Sequence, residues 1–293
     1  MPDHGSPSST PSRETNTNVR SNLKLRVVSA LILAPIAVAA AYIGGVIFVG
    51  FWTVAALGIQ WEWRRIVADT NPVTLALGMG AILLTAIELG TANGSVSWID
   101  LSAIVGVLLA AFLFASLTAR QTKLWTAGGI LYSGALLLAV GVLRSEGELG
   151  FQALLFLFAV VWATDILAYF VGRLVGGPKL SPRLSPKKTW SGAFGGAIGA
   201  AIAGLAATKY SVGSNSLAVV CLALLLSAVS QVGDLFESAV KRRFGIKDAS
   251  DVIPGHGGFM DRLDGFLAAA AAAAIIGLAR GGTEAPAVGL LVW

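Results

Sequence analysis

Residues 150–171 read GFQALLFLFAVVWATDILAYFV, and Asp165 is the single charged residue among them. A helix needs about 20 mostly apolar residues to cross the hydrocarbon of a bilayer, so this stretch predicts a membrane span. The carboxylate within it is expensive at that depth, where ionisable groups face a bundle interior or a water-filled cavity. Eight further apolar stretches flank it, at 27–44, 46–62, 72–90, 101–118, 125–143, 191–209, 215–238 and 264–280. The expected fold class is therefore all-α, a polytopic membrane protein of about nine transmembrane helices. Gly44 and Gly45 leave only a very tight turn between the first two spans, so that pair also suits a re-entrant element.

Composition agrees. The 293 residues are 55% apolar and 13% charged, against about 25% charged in a soluble domain, and mean hydropathy is +0.76. Cys221 is the only cysteine. That excludes an internal disulfide or a cysteine metal site, and its apolar surroundings predict a small buried side chain. Residues 1–24 are rich in Ser, Thr, Asn and Pro and read as a disordered tail that includes His4. No short apolar stretch with a small-residue cleavage site stands near the N-terminus. The chain then divides into N-terminal transmembrane helices (25–149), a second transmembrane region (150–280) and a short tail (281–293).

Charge placement orients the spans. With the N-terminus in the cytosol, 18 of the 21 Lys and Arg residues fall on the inner side; only Arg144, Lys209 and Arg280 fall outside. This is the asymmetry expected of cytosolic loops, and it also accounts for the basic residues without nucleic acid. Two inner loops, 172–190 and 239–263, are long.

Asp165, Asp234 and Glu237 lie in or at the ends of spans. Asp165, Tyr169 and Gly172 share one helix face, as do Asp234, Glu237, Ser238 and Lys241. Taken singly, each acid also suits an interface charge paired with a neighbouring base, which is the reading for Glu62 and Asp69 beside Arg64 and Arg65. Glu88 lies in an outer part of a span with no role assigned. A third acidic group stands in His256-Gly-Gly-Phe-Met-Asp261-Arg262-Leu-Asp264-Gly265, at a helix start where negative charge suits the helix dipole. Three helices thus bring carboxylates to one membrane level. Carboxylates without cysteine suit a hard cation such as Mg²⁺, which prefers oxygen ligands and substrate phosphates.

The 172–190 loop carries Gly172, Arg173, Gly176-Gly177-Pro178-Lys179 and Ser185-Pro186-Lys187-Lys188-Thr189. Lysines beside backbone N–H groups at a helix start make an anion site; alone, such a loop also suits anionic lipid headgroups. It is not a P-loop, whose spacing is absent. Loop and acids together point to phosphoryl or nucleotidyl transfer, in which lysines hold a phosphate chain and positioning supplies most of the catalysis. The seven alanines from Ala268 to Ala274 predict a span buried against other helices or a second subunit, because small residues let membrane helices approach closely.

The stretch Ser238-Ala-Val-Lys241-Arg242-Arg-Phe-Gly-Ile-Lys247-Asp248, continuing through Pro254-Gly-His256-Gly257-Gly258-Phe-Met-Asp261-Arg262-Leu-Asp264, closely resembles the C-terminal motif of phosphatidate cytidylyltransferases. Asp165 to Arg173 and Ser185 to Thr189 resemble two further blocks of that family. Residues 160–265 carry the resemblance, and the N-terminal half matches only in being hydrophobic and multi-span. Ser191 stands where relatives usually have Glu, and Ile166 and Leu167 where they have small residues.

The resemblance implies the reaction CTP + phosphatidate → CDP-diacylglycerol + pyrophosphate, dependent on Mg²⁺, with a second, monovalent cation left open. It also implies a homodimer in the cytoplasmic membrane with its site facing the cytosol. It places Asp234 and Asp261 as metal ligands with Glu237 and Asp264 close by, and Ser185, Lys187, Lys188 and Thr189 at the CTP phosphates. It sets Lys241, Arg262 and Arg242 at the phosphatidate phosphate or the leaving pyrophosphate. It counts Asp165 and Asp248 among the site residues, and has His256 with its glycines shape the site.

Two rivals remain. A CTP-dependent kinase of a lipid alcohol would transfer the γ-phosphate. A transporter would use Asp165 and Asp234 as coupling-ion sites near broken helices at mid-membrane, in pseudo-symmetric halves.

Overall fold

Hydrocarbon offers the backbone no water to bond, so an apolar span closes its own hydrogen bonds as a helix. The computed structural model of the chain, described over residues 31–92, 95–119, 122–209, 215–250, 252 and 257–293, follows this rule. The described helices are α1 (Leu31–Ile43), α2 (Gly45–Ile66), α3 (Pro72–Thr91), α4 (Trp98–Thr118), α5 (Lys123–Arg144), α6 (Gly147–Val175), α7 (Trp190–Thr208), α8 (Ser216–Arg243), α9 (Met260–Gly281) and α10 (Pro286–Leu291). Eight of these, α2 to α9, are long and apolar enough to cross a membrane, and α1 is shorter. The predicted tail and His256 lie outside the described residues.

The helix starts follow local chemistry. Asn71 accepts from the Val73 N–H at 3.0 Å and is followed by Pro72. Ser97 and Asp100 form a reciprocal capping box, and Asn215 caps α8. Each side chain satisfies an N–H that has no partner in the first turn. Gly44 and Gly45 both take positive φ, 71° and 54°, which makes the expected tight turn between α1 and α2.

Three features depart from the sequence reading. The helices overrun the apolar stretches on the charged side: α6 runs to Val175, α8 to Arg243, and α9 begins at Met260. Hydropathy measures apolar length, whereas a helix continues past the hydrocarbon as long as its backbone bonds are made. The 172–190 loop holds a two-stranded antiparallel hairpin, β1 (Lys179–Ser181) and β2 (Ser185–Thr189), with Lys179 opposite Thr189. Cys221 is exposed, not buried; it shares an outward face of α8 with Leu217, Leu224 and Leu225.

Contacts between segments far apart in the chain mark the two ends of the bundle. One end of the bundle joins Asn71 Nδ2 to the Thr118 carbonyl at 3.0 Å and Trp63 Nε1 to the Trp125 carbonyl at 2.6 Å. The opposite end joins Arg144 Nε to the Ala41 carbonyl at 2.6 Å, and the Ala287 N–H to Glu146 at 2.8 Å. Because lipid is as apolar as leucine, helix association in a membrane rests on close packing. Glycines supply it along α6 and α7: a Cβ on Gly192 would fall 2.6 Å from the Ala168 carbonyl oxygen, and one on Gly196 would fall 2.8 Å from that of Thr164. Ala269, Ala270, Ala273 and Ala274 are buried, so the alanine run does face the bundle. Trp52 of α2 stacks on Phe266 of α9 at 5.1 Å, tying the N-terminal helices to the last long one.

Candidate active site

The first-named end of the bundle collects the predicted residues. α8 and α9 touch there through glycine: a Cβ on Gly233 would fall 2.5 Å from the Ala268 Cβ and 2.8 Å from the Asp264 carbonyl oxygen. Gly265 lies equally tightly on Ser230. Asp234 follows the first of these glycines and Asp264 precedes the second, so the closest backbone approach is also where the two carboxylates come together.

Lysines interleave with the acids. Lys241 Nζ lies 2.6 Å from Glu237 Oε2 and 2.6 Å from Asp261 Oδ1. Lys188, carried by β2, pairs with Asp234. Asp165 on α6 lies within electrostatic reach of Asp234, Lys188 and Arg262; Asp264 is within reach of Asp234 and Asp165. Five carboxylates from three helices therefore meet basic groups from β2, α8 and α9.

Asp261 is more heavily engaged than a helix-start acid need be. Besides Lys241, it accepts from the Gly258 N–H at 2.8 Å and the Ala249 N–H at 3.0 Å, closing the loop after α8 onto the start of α9.

The remaining predicted residues divide. Lys187 is exposed, and Ser185 is partly buried on β2. Thr189 is buried and caps α7, its Oγ1 accepting from the Gly192 N–H at 3.1 Å. The lysines therefore project from a strand, not from the helix start itself. Ser191 donates to the Gly176 carbonyl, tying the start of α7 to the end of α6. Arg262 is exposed. Asp248 is also exposed and lines a surface cavity of about 520 Å³ with Arg65, Lys247, Ala249, Ser250 and Val252.

Two residues escaped the sequence reading. Glu62, expected as an interface charge, is fully buried; Ser250 Oγ and the N–H groups of Phe259 and Met260 donate to it. Tyr132 of α5 lies within electrostatic reach of Asp264, Glu237 and Asp234, and its buried hydroxyl has no partner among the described residues. Their sequence neighbours do not mark either one as part of the site; only tertiary packing brings them in.

Among the described residues, no three His, Cys, Asp or Glu side chains are gathered as a metal site. Asp234, Glu237 and Asp261 each have a lysine partner. Their chemistry still fits a hard cation: the donors are all oxygen, and the buried Glu237 Oε1 has no hydrogen-bond partner among the described residues.

A polytopic membrane protein whose carboxylates and lysines converge at one end of its spans is built to bring a charged reactant to a lipid. The chain belongs to the cytidylyltransferase family, whose sequence model matches residues 24–279. A phosphatidate cytidylyltransferase of Brucella abortus (strain 9-941) is 42% identical over 253 residues, covering 86% of this chain and 92% of that protein. The protein of the same name from Haemophilus influenzae is 32% identical and covers 84% of this chain and 96% of its own. In Staphylococcus epidermidis (strain ATCC 12228), a phosphatidate cytidylyltransferase is 35% identical over 125 residues, or 42% of this chain.

Proposed function

We infer that this chain transfers the cytidylyl group of CTP to phosphatidate, forming CDP-diacylglycerol and pyrophosphate for phospholipid synthesis. The observation that carries this reading is the pairing of hairpin Lys188 with Asp234 of α8, which sets a lysine of the kind that suits a phosphate beside the carboxylate cluster. The identity to named phosphatidate cytidylyltransferases over most of the chain supports it.

The chemistry suits the groups present. The phosphatidate phosphate is already an anionic nucleophile near neutral pH, so it attacks the α-phosphorus of CTP in line without a strong base. Lys187 and Lys188 hold the triphosphate, and Lys241 and Arg262 meet the phosphatidate phosphate or the departing pyrophosphate. Positive charge is needed most where charge builds on that leaving group. Asp234, Asp261 and Glu237, with Asp264 and Asp165 nearby, would hold Mg²⁺, which would neutralise phosphate charge there. The reaction passes through no covalent cytidylyl-enzyme, and trapping one would overturn this step.

The basic residues of the inner loops support a site that faces the cytosol at the cytoplasmic membrane, where a soluble nucleotide meets a lipid that stays in the bilayer. We place the working enzyme as a homodimer on the family resemblance.

The test uses purified protein in detergent with phosphatidate, Mg²⁺ and CTP labelled separately at the α and γ positions, beside Asp261→Asn. The expected result is α-label in the lipid, lost in the variant. Label from the γ position would make the protein a lipid kinase. Transfer to no phospholipid or lipid alcohol would return the reading to a transporter.

A further inference from the structure

We propose that Glu62 is a positioning residue for the reaction, a carboxylate of α2 that sets where α9 presents Asp261, Arg262 and Asp264. The proposal rests on the cytidylyl-transfer reading above.

Glu62 is 0% exposed, and none of the ion pairs among the described residues includes it. A buried carboxylate is tolerated only when hydrogen bonds replace its water. Here Oε1 accepts from Ser250 Oγ at 2.5 Å and from the Phe259 N–H at 2.9 Å, and Oε2 accepts from the Met260 N–H at 2.7 Å.

Those two N–H groups open α9. The first N–H groups of a helix have no partner within it, and Phe259 at the cap position provides no side-chain bond. Glu62 supplies the missing cap from another helix, with its negative charge at the positive end of the α9 dipole. Through Ser250 it also fixes the loop that follows α8.

Gly258 shows how tightly the parts fit. Its N–H donates to Asp261, while a Cβ on it would fall 2.3 Å from Glu62 Oε1 and 2.5 Å from Glu62 Cδ. Glu62 and Asp261 therefore both hold the segment from Gly258 to Met260. The orientation of the α9 acids depends on a side chain far outside the C-terminal motif. Glu62 acts through α9 and is not itself placed against substrate.

The experiment compares Gly258→Ala, Glu62→Ala, the double variant and Glu62→Gln in purified full-length protein. It reads initial rates with α-labelled CTP and phosphatidate, melting temperature, and hydrogen exchange of the 257–262 amides. Gly258→Ala alone is expected to lower kcat by roughly tenfold or more. In the Glu62→Ala background, the added methyl has room and changes kcat by less than about twofold. Glu62→Gln turns a carboxamide N–H toward a backbone donor. It is expected to lower kcat by roughly tenfold, leave KM for CTP near its original value, because the hairpin lysines are untouched, and raise exchange at Phe259 and Met260.

Additive losses for Gly258→Ala and Glu62→Ala would overturn the proposal. So would Glu62→Gln with unchanged kcat and unchanged exchange. Should Glu62→Ala fail to fold, Glu62→Gln decides alone. If even the unmodified protein transfers no cytidylyl group, the functional reading fails, while the exchange data still report whether Glu62 holds the start of α9.

Discussion

Lys188 and Asp234 form an ion pair that joins the β-hairpin to α8. The side chains are 29% and 32% exposed, so both remain open to solvent or substrate at the rim of the cluster. The two side chains neutralise one another, and under the proposed function substrate loading would have to separate them. Asp234→Asn is expected to reduce kcat by about 100-fold or more. Lys188→Ala raises KM for CTP and lowers kcat/KM by about 10- to 100-fold. Because the two side chains act as a unit, the double variant loses less than the product of the single losses. Steady-state kinetics with α-labelled CTP measures all three, and fully multiplicative losses would show that the two act independently.

The glycine contact between α8 and α9 makes a second prediction. Gly233→Ala has to separate the helices where the carboxylates meet, since the new methyl would lie within 3 Å of both Ala268 and the Asp264 carbonyl. It is expected to destabilise the protein by about 1–3 kcal/mol and to lower turnover. Gly106→Ala on α4, where none of the described residues lies within 4 Å of the added carbon, leaves both unchanged or stabilises slightly. Thermal melting in detergent and activity on the same samples separate the outcomes.

Asp69, in the turn between α2 and α3, gives a pH prediction. Burial pushes its carboxyl up, but hydrogen bonds from Thr74, Arg64 and the Asn71 N–H outweigh that and hold the pKa below the ordinary value. A depressed folded pKa means stability that is present above the unfolded value, near about 3.9, and lost as pH falls through the folded one. Asp69→Asn is expected to lower stability at pH 7 by about 1–3 kcal/mol. The gap from the unmodified protein should close below about pH 4. A gap that stays constant down to pH 3 would show that ionisation of Asp69 contributes nothing.

Arg144 offers a contrast at the opposite end of the bundle. Its guanidinium donates to the carbonyls of Ala41 at 2.6 Å, Gly147 at 2.9 Å and Tyr42 at 3.2 Å, fastening the Gly44 turn to α5. Arg144→Ala leaves those carbonyls without their partner and is expected to cost about 1–3 kcal/mol. The kcat of the folded fraction should stay within about twofold, because none of these contacts reaches the acid cluster. A large fall in kcat at unchanged stability would contradict the separation of the two ends.

Much of this architecture was legible in the sequence because hydrocarbon imposes a simple rule. Spans such as 72–90 and 150–171 reappear as α3 and α6, extended by a few residues. Asp234, Glu237, Lys241 and Asp261 could be grouped because helical spacing puts the first three on one face and a charged motif marks the fourth. What stayed hidden depends on contacts between distant segments. Nothing local distinguishes Glu62 from an interface charge, since its donors lie near residues 250 and 260. The hairpin at Lys179–Thr189 is too short and too polar to show a strand period, and its two Ser-Pro pairs, with Gly177-Pro178 just before it, read equally well as loop. Cys221 sits in an apolar run that fits a buried face or a lipid-facing one alike.

The contact between Glu62 and the start of α9 spans 197 and 198 residues of chain. At ordinary synthesis rates that interval lasts about 10–40 s, during which α2 has been made but its partners have not. Its carboxylate must spend that time hydrated at the membrane edge, because hydrocarbon would not accept it unpaired. The acid cluster therefore cannot assemble until α9 is made, and a nascent chain halted before α9 carries seven of the eight long spans without Asp261 and Asp264.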